Sequence, residues 1–333
     1  MHQNNSVNIG TSEQSHTKKG DTATKGIVFK LRMEWKQFQK NRELFILTVP
    51  ALLFKFIFSY LPLVGLIIAF KKFNYAKGLW GSEWVGLKNF SFFFASDNAF
   101  RITRNTILYN ISFIVLTTVI AVTLAILMNE LSKKWLKLHQ TALFLPYFLS
   151  WVVVSYVTLG FLDNGSGYLN QLLQQFGAAP VKWYQEAKYW PFILILVHLW
   201  KSVGFSALIY YAGIIGIDSS YYEAARIDGA TRLQMIRRIT IPLLTPLIII
   251  LFIVAVGQMF RADFGLFFFV PNDTSFLYAT TDVIDTYVYR SLRVVGDIGM
   301  SSAIGLYQSV VGLVLVLAAN YVVKKINSEN SLW

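Results

Sequence analysis

Asp218–Thr245 reads DSSYYEAARIDGATRLQMIRRITIPLLT. Ser220 followed three residues later by Glu223 matches a capping box. It predicts a helix running through Glu223, Ala224, Ala225, Arg226 and Ile227. Gly229 then supplies a turn, because glycine tolerates positive φ. Leu233, Ile236 and Ile239 recur three residues apart and predict a second short helix with one apolar face. Arg226, Arg232, Arg237 and Arg238 keep the segment polar. Pro242 opens an apolar run, where proline suits the first turn of a helix. The segment therefore predicts a compact, charged helical hairpin fused to a strongly apolar helix.

That apolar helix, Ile241–Phe260, is one of six such runs. The others are Leu44–Phe70, Thr106–Met128, Thr141–Leu162, Pro191–Ile217 and Ser301–Val323. Each approaches or exceeds the length of about 20 apolar residues that a membrane-spanning helix needs. Composition agrees. The 333 residues are 55% hydrophobic and only 14% charged, too little charge to coat two soluble domains. Disorder of the whole chain is excluded by the same figures. With no cysteine, a disulfide scaffold and thiolate metal sites are excluded. The expected fold class is an all-α polytopic membrane protein with six transmembrane helices, the polar hairpin joining the fourth and fifth.

Residues 1–26 form a polar stretch without the hydrophobic region of a signal peptide and are expected to be a disordered tail. In residues 27–43, Leu31, Trp35 and Phe38 recur at helical spacing among Lys30, Arg32, Lys36, Lys40 and Arg42. Two readings fit: an amphipathic helix in the membrane interface, or an extension of the first span. The six-span domain runs over 44–325, and 326–333 form a short C-terminal tail.

The net charge of +12 has two possible meanings, nucleic acid or basic cytoplasmic loops. With the N-terminus placed inside, 17 Lys and Arg fall on inside segments and 11 on longer outside ones. Lys55 and Lys201 lie within spans. The positive-inside rule therefore favours both termini in the cytoplasm. No basic run interleaves with aromatics on a polar segment, so the nucleic-acid reading loses its force.

The hairpin also carries a resemblance. Glu223-Ala224-Ala225, Gly229, Ile239, Ile241 and Pro242, at their spacing, resemble the EAA loop of inner-membrane permeases of binding-protein-dependent ABC importers. Ile241 stands where that pattern usually has leucine. Trp84–Phe90 with Asn105-Thr106 resembles the sugar-permease branch. Leu145–Val153, Trp200–Gly204 and Asp282–Arg290 resemble its oligo- or polysaccharide subgroup. The likeness covers about residues 40 to 325. It implies that Glu223, Ala224, Ala225, Asp228, Gly229, Ile239 and Pro242 form the coupling loop that docks on a cytoplasmic ATPase. It implies two ATPase subunits holding ATP and Mg, an extracellular binding protein, a carbohydrate substrate, and a second, related permease in a bacterial inner membrane.

The chain itself is expected to be no enzyme and to bind no cofactor. It has no G-x-x-x-x-G-K-[ST] loop. Its four histidines, His2, His16, His139 and His198, form no metal-ligand pattern. No span carries Asp or Glu, whereas ion-coupled carriers keep a carboxylate in the membrane. That disfavours the main alternatives, a secondary sugar carrier or a permease for another small solute. For the substrate pathway, His198, Trp200 and Lys201 in the fourth span lead, beside Gly204, which allows a helix break there. Gln258, Trp151 and Tyr156 are secondary candidates. Lys201 has an equally weighted second reading, a bond to a carbonyl between helices. Ile284, Tyr287, Val288 and Ser291 predict a short external helix within Thr281–Leu292.

Overall fold

The computed structural model describes residues 40–94, 97–326 and 331. The expectations for residues 1–26 and most of 27–43 lie outside the described residues, as does nearly all of the C-terminal tail. By its contacts the chain divides into two units, Met1–Gly65 and Leu66–Trp333.

In the first unit, α1 (Arg42–Lys55) buries none of its side chains. A π turn, Phe56–Tyr60, follows it, with the Leu61 N–H bonded to Phe56 O, and Pro62 comes next. Proline has no N–H and its ring crowds the carbonyl four residues back. A π turn widens the ladder at that carbonyl.

The second unit holds the remaining elements. A small hairpin pairs β1 (Lys71–Lys72) with β2 (Glu83–Trp84), Lys71 opposite Trp84. Then come α2 (Asp97–Asn129), α3 (Lys133–Phe144), α4 (Trp151–Leu162) and α5 (Trp190–Ile215). The polar hairpin is α6 (Ser219–Ile227) and α7 (Arg232–Met235). It leads into α8 (Ile241–Gly257), α9 (Phe264–Phe269), α10 (Ile284–Arg290) and α11 (Ile298–Ile326). Buried Ala121, Ala125, Val203, Ala207, Tyr210 and Leu244 pack α2, α5 and α8 together. A second core joins Tyr109, Phe113, Val154, Trp190, Leu194 and Phe267. Among the described residues, five helical segments are long and apolar enough to cross a membrane, and a bent pair makes up to six.

That bent pair is the expected third span, and it is not one straight helix. Lys134–Phe148 and Trp151–Leu162 meet at 99°. Pro146 sits in a tight 3-10 turn, and Leu149 (ψ 135°) and Ser150 (ψ 153°) are extended. The Ser150 hydroxyl caps the new helix by accepting from the Val153 N–H at 3.3 Å. The carbonyls of Tyr147 and Leu149 take side-chain donation instead, and Pro146 O accepts both from a side chain and from the Leu149 N–H (3.2 Å).

The fourth span is also corrected. α5 runs unbroken from Trp190 to Ile215 through Gly204. Gly204 serves close approach instead, because a Cβ there would stand 1.8 Å from Leu143 O of α3. In the fifth span the helical run starts at Arg232 rather than Ile241 and passes through a π turn, Ile236–Thr240, into α8. Pro242 is therefore not at a free helix start. The Ile241 N–H bonds Ile236 O, and this second π turn, like the one before Pro62, makes room for the proline.

The helix expected within Thr281–Leu292 is α10, extended by a π turn to Val295 and ended by Gly296. Ahead of it lies an ionic knot. Arg290 pairs with buried Asp282 and with Asp273 (2.8 Å), and Arg101 of α2 lies 3.6 Å from Asp282. Asn105 Nδ2 donates to Asp282 O at 3.0 Å.

Candidate functional site

The hairpin is built by three local caps. Asp218, not the expected Ser220–Glu223 box, starts α6: its side chain accepts from the Ser220 N–H at 2.9 Å. Glu223 then falls mid-helix and is exposed. At the other end the Ala230 N–H bonds Ala225 O (2.9 Å) and the Gly229 N–H bonds Arg226 O (3.0 Å). This is a Schellman motif, with Gly229 at φ +76° in its left-handed position. The capping box of this hairpin belongs to Thr231 and Gln234.

The hairpin is tied down on both sides. Arg232 pairs with Glu130 at the end of α2 (2.8 Å), and Tyr222 OH lies 3.0 Å from Thr240 Oγ1. A cavity of about 320 Å³ lies between, lined by Tyr222, Glu223, Arg226, Arg232, Glu130 and Thr240. Ala224, Asp228, Gly229 and Pro242 are exposed, while Ala225 and Ile239 are half-buried. Ile227, which the sequence placed only as a helix residue, is 87% exposed at the tip.

A second cavity, of about 410 Å³, opens among α2, α5 and α8. His198, Ser202 and Ser206 line it from one face of α5, four residues apart. Asn110, Thr117 and Thr118 of α2 and Gln258, Arg261 and Asp263 beyond α8 complete its polar lining. The His198 ring stacks on Phe113 (centroids 3.8 Å, 12°), and its Nδ1 has no partner among the described residues.

The other sequence candidates sit elsewhere. Lys201 is buried on another side of α5. Its Nζ donates to Leu149 O at 2.6 Å and Tyr147 O at 2.7 Å, with Pro146 O at 3.4 Å. The same ammonium lies over the Tyr147 and Trp151 rings. Trp151 Nε1 donates to Asp263 Oδ2 at 2.9 Å, one step from the cavity. Trp200 (46% exposed) and Tyr156 (70% exposed) do not line it.

The backbone after α8 is irregular, and four elements pin it. Gln308 Nε2 of α11 donates to Phe260 O (2.6 Å), and Asn110 Nδ2 of α2 to Arg261 O (3.2 Å). The Ala262 N–H donates to Asp285 Oδ2 of α10 (2.7 Å), and Asp263 takes the Trp151 indole of α4. Burial raises the Asp285 carboxyl above the usual range; the Ala262 N–H, Gln308 and the Arg261 charge pull the other way. Sequence reading missed Arg261, Asp263 and Asp285, since all three fall outside the apolar runs. The i, i+4 recurrence of His198, Ser202 and Ser206 was the visible signal.

A capped polar hairpin continuous with a spanning helix, beside a polar cavity among spanning helices, defines a multi-span membrane transport protein. Residues 90–328 match the model of the binding-protein-dependent transport system inner membrane component, and the chain belongs to that family. It is the membrane component of an ABC importer and not its ATPase. It is similar to Protein LplB of Bacillus subtilis (strain 168), 32% identical over 92% of this chain and 95% of that one. It is also similar to the polygalacturonan/rhamnogalacturonan transport system permease protein YteP of that strain, 31% identical over 87% and 90%. Among solved structures it resembles a bacterial ABC transporter involved in the import of the acidic polysaccharide alginate. The TM-score there is 0.81 at 31% identity, covering 89% of this chain and 99% of that one. A structure of such a transporter with an alginate pentasaccharide-bound periplasmic protein matches with TM-score 0.79 at 31% identity, over 88% and 97%.

Proposed function

We propose that this permease subunit imports an acidic oligosaccharide, forming half of the path through the membrane with a second, related six-span permease. Two cytoplasmic ATPases bind and hydrolyse ATP with Mg, and an external binding protein delivers the sugar. Both termini lie in the cytoplasm, as the distribution of Lys and Arg favours. The relatives named above support the cargo class. Alginate and polygalacturonan are uronate polymers, whose sugar rings carry carboxylates.

The observation that carries the coupling assignment is the helical continuity from Arg232 through Gly257. A push on α7 reaches the cavity-lining end of α8 without crossing a flexible joint. Closure of the ATPases on Ala224, Asp228 and Gly229 therefore becomes a movement of the span that ends at Gln258. ATP binding opens the path to the receptor, and hydrolysis returns it.

The test is co-purification and uptake with the full set of subunits. Gly229→Pro and Glu223→Lys should insert normally yet lose ATPase association or sugar uptake. Wild-type uptake by both variants would remove the coupling role. Uptake by the purified chain alone would replace the importer reading with that of a secondary carrier.

A further inference from the structure

Two cavities meet at one pair of side chains. The 410 Å³ cavity among α2, α5 and α8 includes Gln258 and Arg261 in its wall. So does a cavity of about 330 Å³ between α8 and α11, which also holds Gln308 and Ser309. Arg261 is exposed at this junction, on the pinned backbone described above. Its position is set by the Gln258 carbonyl, which accepts from the Arg261 N–H at 2.8 Å, and by Asn110 on its own carbonyl. The site is thus preorganised from neighbouring elements.

The guanidinium is underused. It carries five N–H donors. Among the described residues its side-chain hydrogen bond goes to Ser309 Oγ at 3.3 Å. Two carboxylates lie in this region, and both are occupied. Asp263 accepts from the Trp151 indole through one oxygen and from the Gly265 N–H through the other. Asp285 Oδ2 accepts from the Ala262 N–H and from Gln308. Neither forms an ion pair with Arg261 within 4 Å among the described residues.

We infer that Arg261 is the side chain of the path that engages the cargo's carboxylates, while Gln258, Asn110 and Ser309 meet its hydroxyls. This rests on the acidic-oligosaccharide reading above. A planar guanidinium matches a carboxylate in two-pronged geometry, which a hydroxyl does not offer. The nearby Asp263 and Asp285 charges weaken the hold. That suits a site through which cargo must leave as well as enter.

The chain contains no cysteine, so Arg261→Cys places a single thiol in this subunit. The complete importer in proteoliposomes, with binding protein loaded with a galacturonate trisaccharide, is assayed for uptake. The wild-type complex given the same thiol reagents sets the background. Arg261→Cys should lose about ten- to hundred-fold in uptake, the factor expected for one charge-assisted contact. Aminoethyl methanethiosulfonate, which restores a cation, should recover much of it. The methyl and sulfonatoethyl reagents should not. Full uptake by unmodified Arg261→Cys overturns the inference. So does failure of the aminoethyl reagent to rescue, which would leave Arg261 a purely structural residue. If the wild-type complex takes up no galacturonate, the cargo reading itself falls and the inference with it.

Discussion

Lys201 Nζ and the carbonyl oxygen of Leu149 stand 2.6 Å apart across 52 residues of chain. The pair explains how a span bends by 99° in an apolar setting. A broken helix leaves carbonyls without N–H partners, and hydrocarbon supplies none. One lysine of α5 serves two of them, Tyr147 O and Leu149 O, and its third contact is Pro146 O, which also accepts from the Leu149 N–H.

Lys201→Met should therefore remove the donor of the Tyr147 and Leu149 carbonyls and lower stability by about 2 kcal/mol or more. The readout is the Tm of the purified chain in detergent. Lys201→Arg should retain most of the stability, and an unchanged Tm in Lys201→Met would mean another donor takes over.

Gly204→Ala should be more damaging than its size suggests. The new Cβ would fall 1.8 Å from Leu143 O, a backbone atom that no rotamer change can move. A loss of about 3 kcal/mol or failure to accumulate in the membrane is expected. Gly160→Ala in α4 has nothing within 4 Å of its Cβ and serves as the neutral control. Equal behaviour of the two variants would refute close packing of α3 on α5.

Gly229 is a different case, because its Cβ would also meet nothing within 4 Å. Only the backbone conformation, φ +76°, resists substitution. Gly229→Asn should therefore cost less than Gly229→Ala, and Gly229→Val most, over a range of about 1–2 kcal/mol. Thermal stability and receptor-stimulated ATPase of the assembled importer should follow that order. A variant series without this ranking would contradict the Schellman geometry.

Arg290→Met should leave Asp282, 2% exposed at its side chain, with the Thr286 hydroxyl at 2.7 Å and Arg101 as its charged partner at 3.6 Å. Full loss of compensation would cost about 3–5 kcal/mol, and these remaining partners hold the expected loss below that. Adding Asp282→Asn should recover part of that loss in a denaturation experiment. Strict additivity of the two losses would show that the residues do not interact.

Much of this was legible from residues read in order. Polar hairpin, apolar runs and the helix of Thr281–Leu292 all depend on neighbours within a few turns. Errors arose where a local pattern had two physical solutions. Ser220 and Asp218 both offer a cap, and the backbone chose Asp218. Gly204 offers flexibility or smallness, and the nearby Leu143 backbone selects smallness. Pro146 and Pro242 both mark perturbed helix. One lies beside a sharp bend and the other follows a π turn, because only at the first does a distant lysine donate to the freed carbonyls.

By itself the sequence determined the class of fold, the apolar runs and the polar helical hairpin, since hydrophobic period is a local property. Only the tertiary structure decided what the charged groups do. Of the two equal readings of Lys201, a path residue or a carbonyl partner between helices, it showed the carbonyl bonds of a broken span. It drew Arg261, Asp263 and Asp285, none of them in an apolar run, to one end of α8. The reason is that a buried polar group is set by whichever donors and acceptors packing brings within about 3 Å, and those lie on elements far apart in the chain.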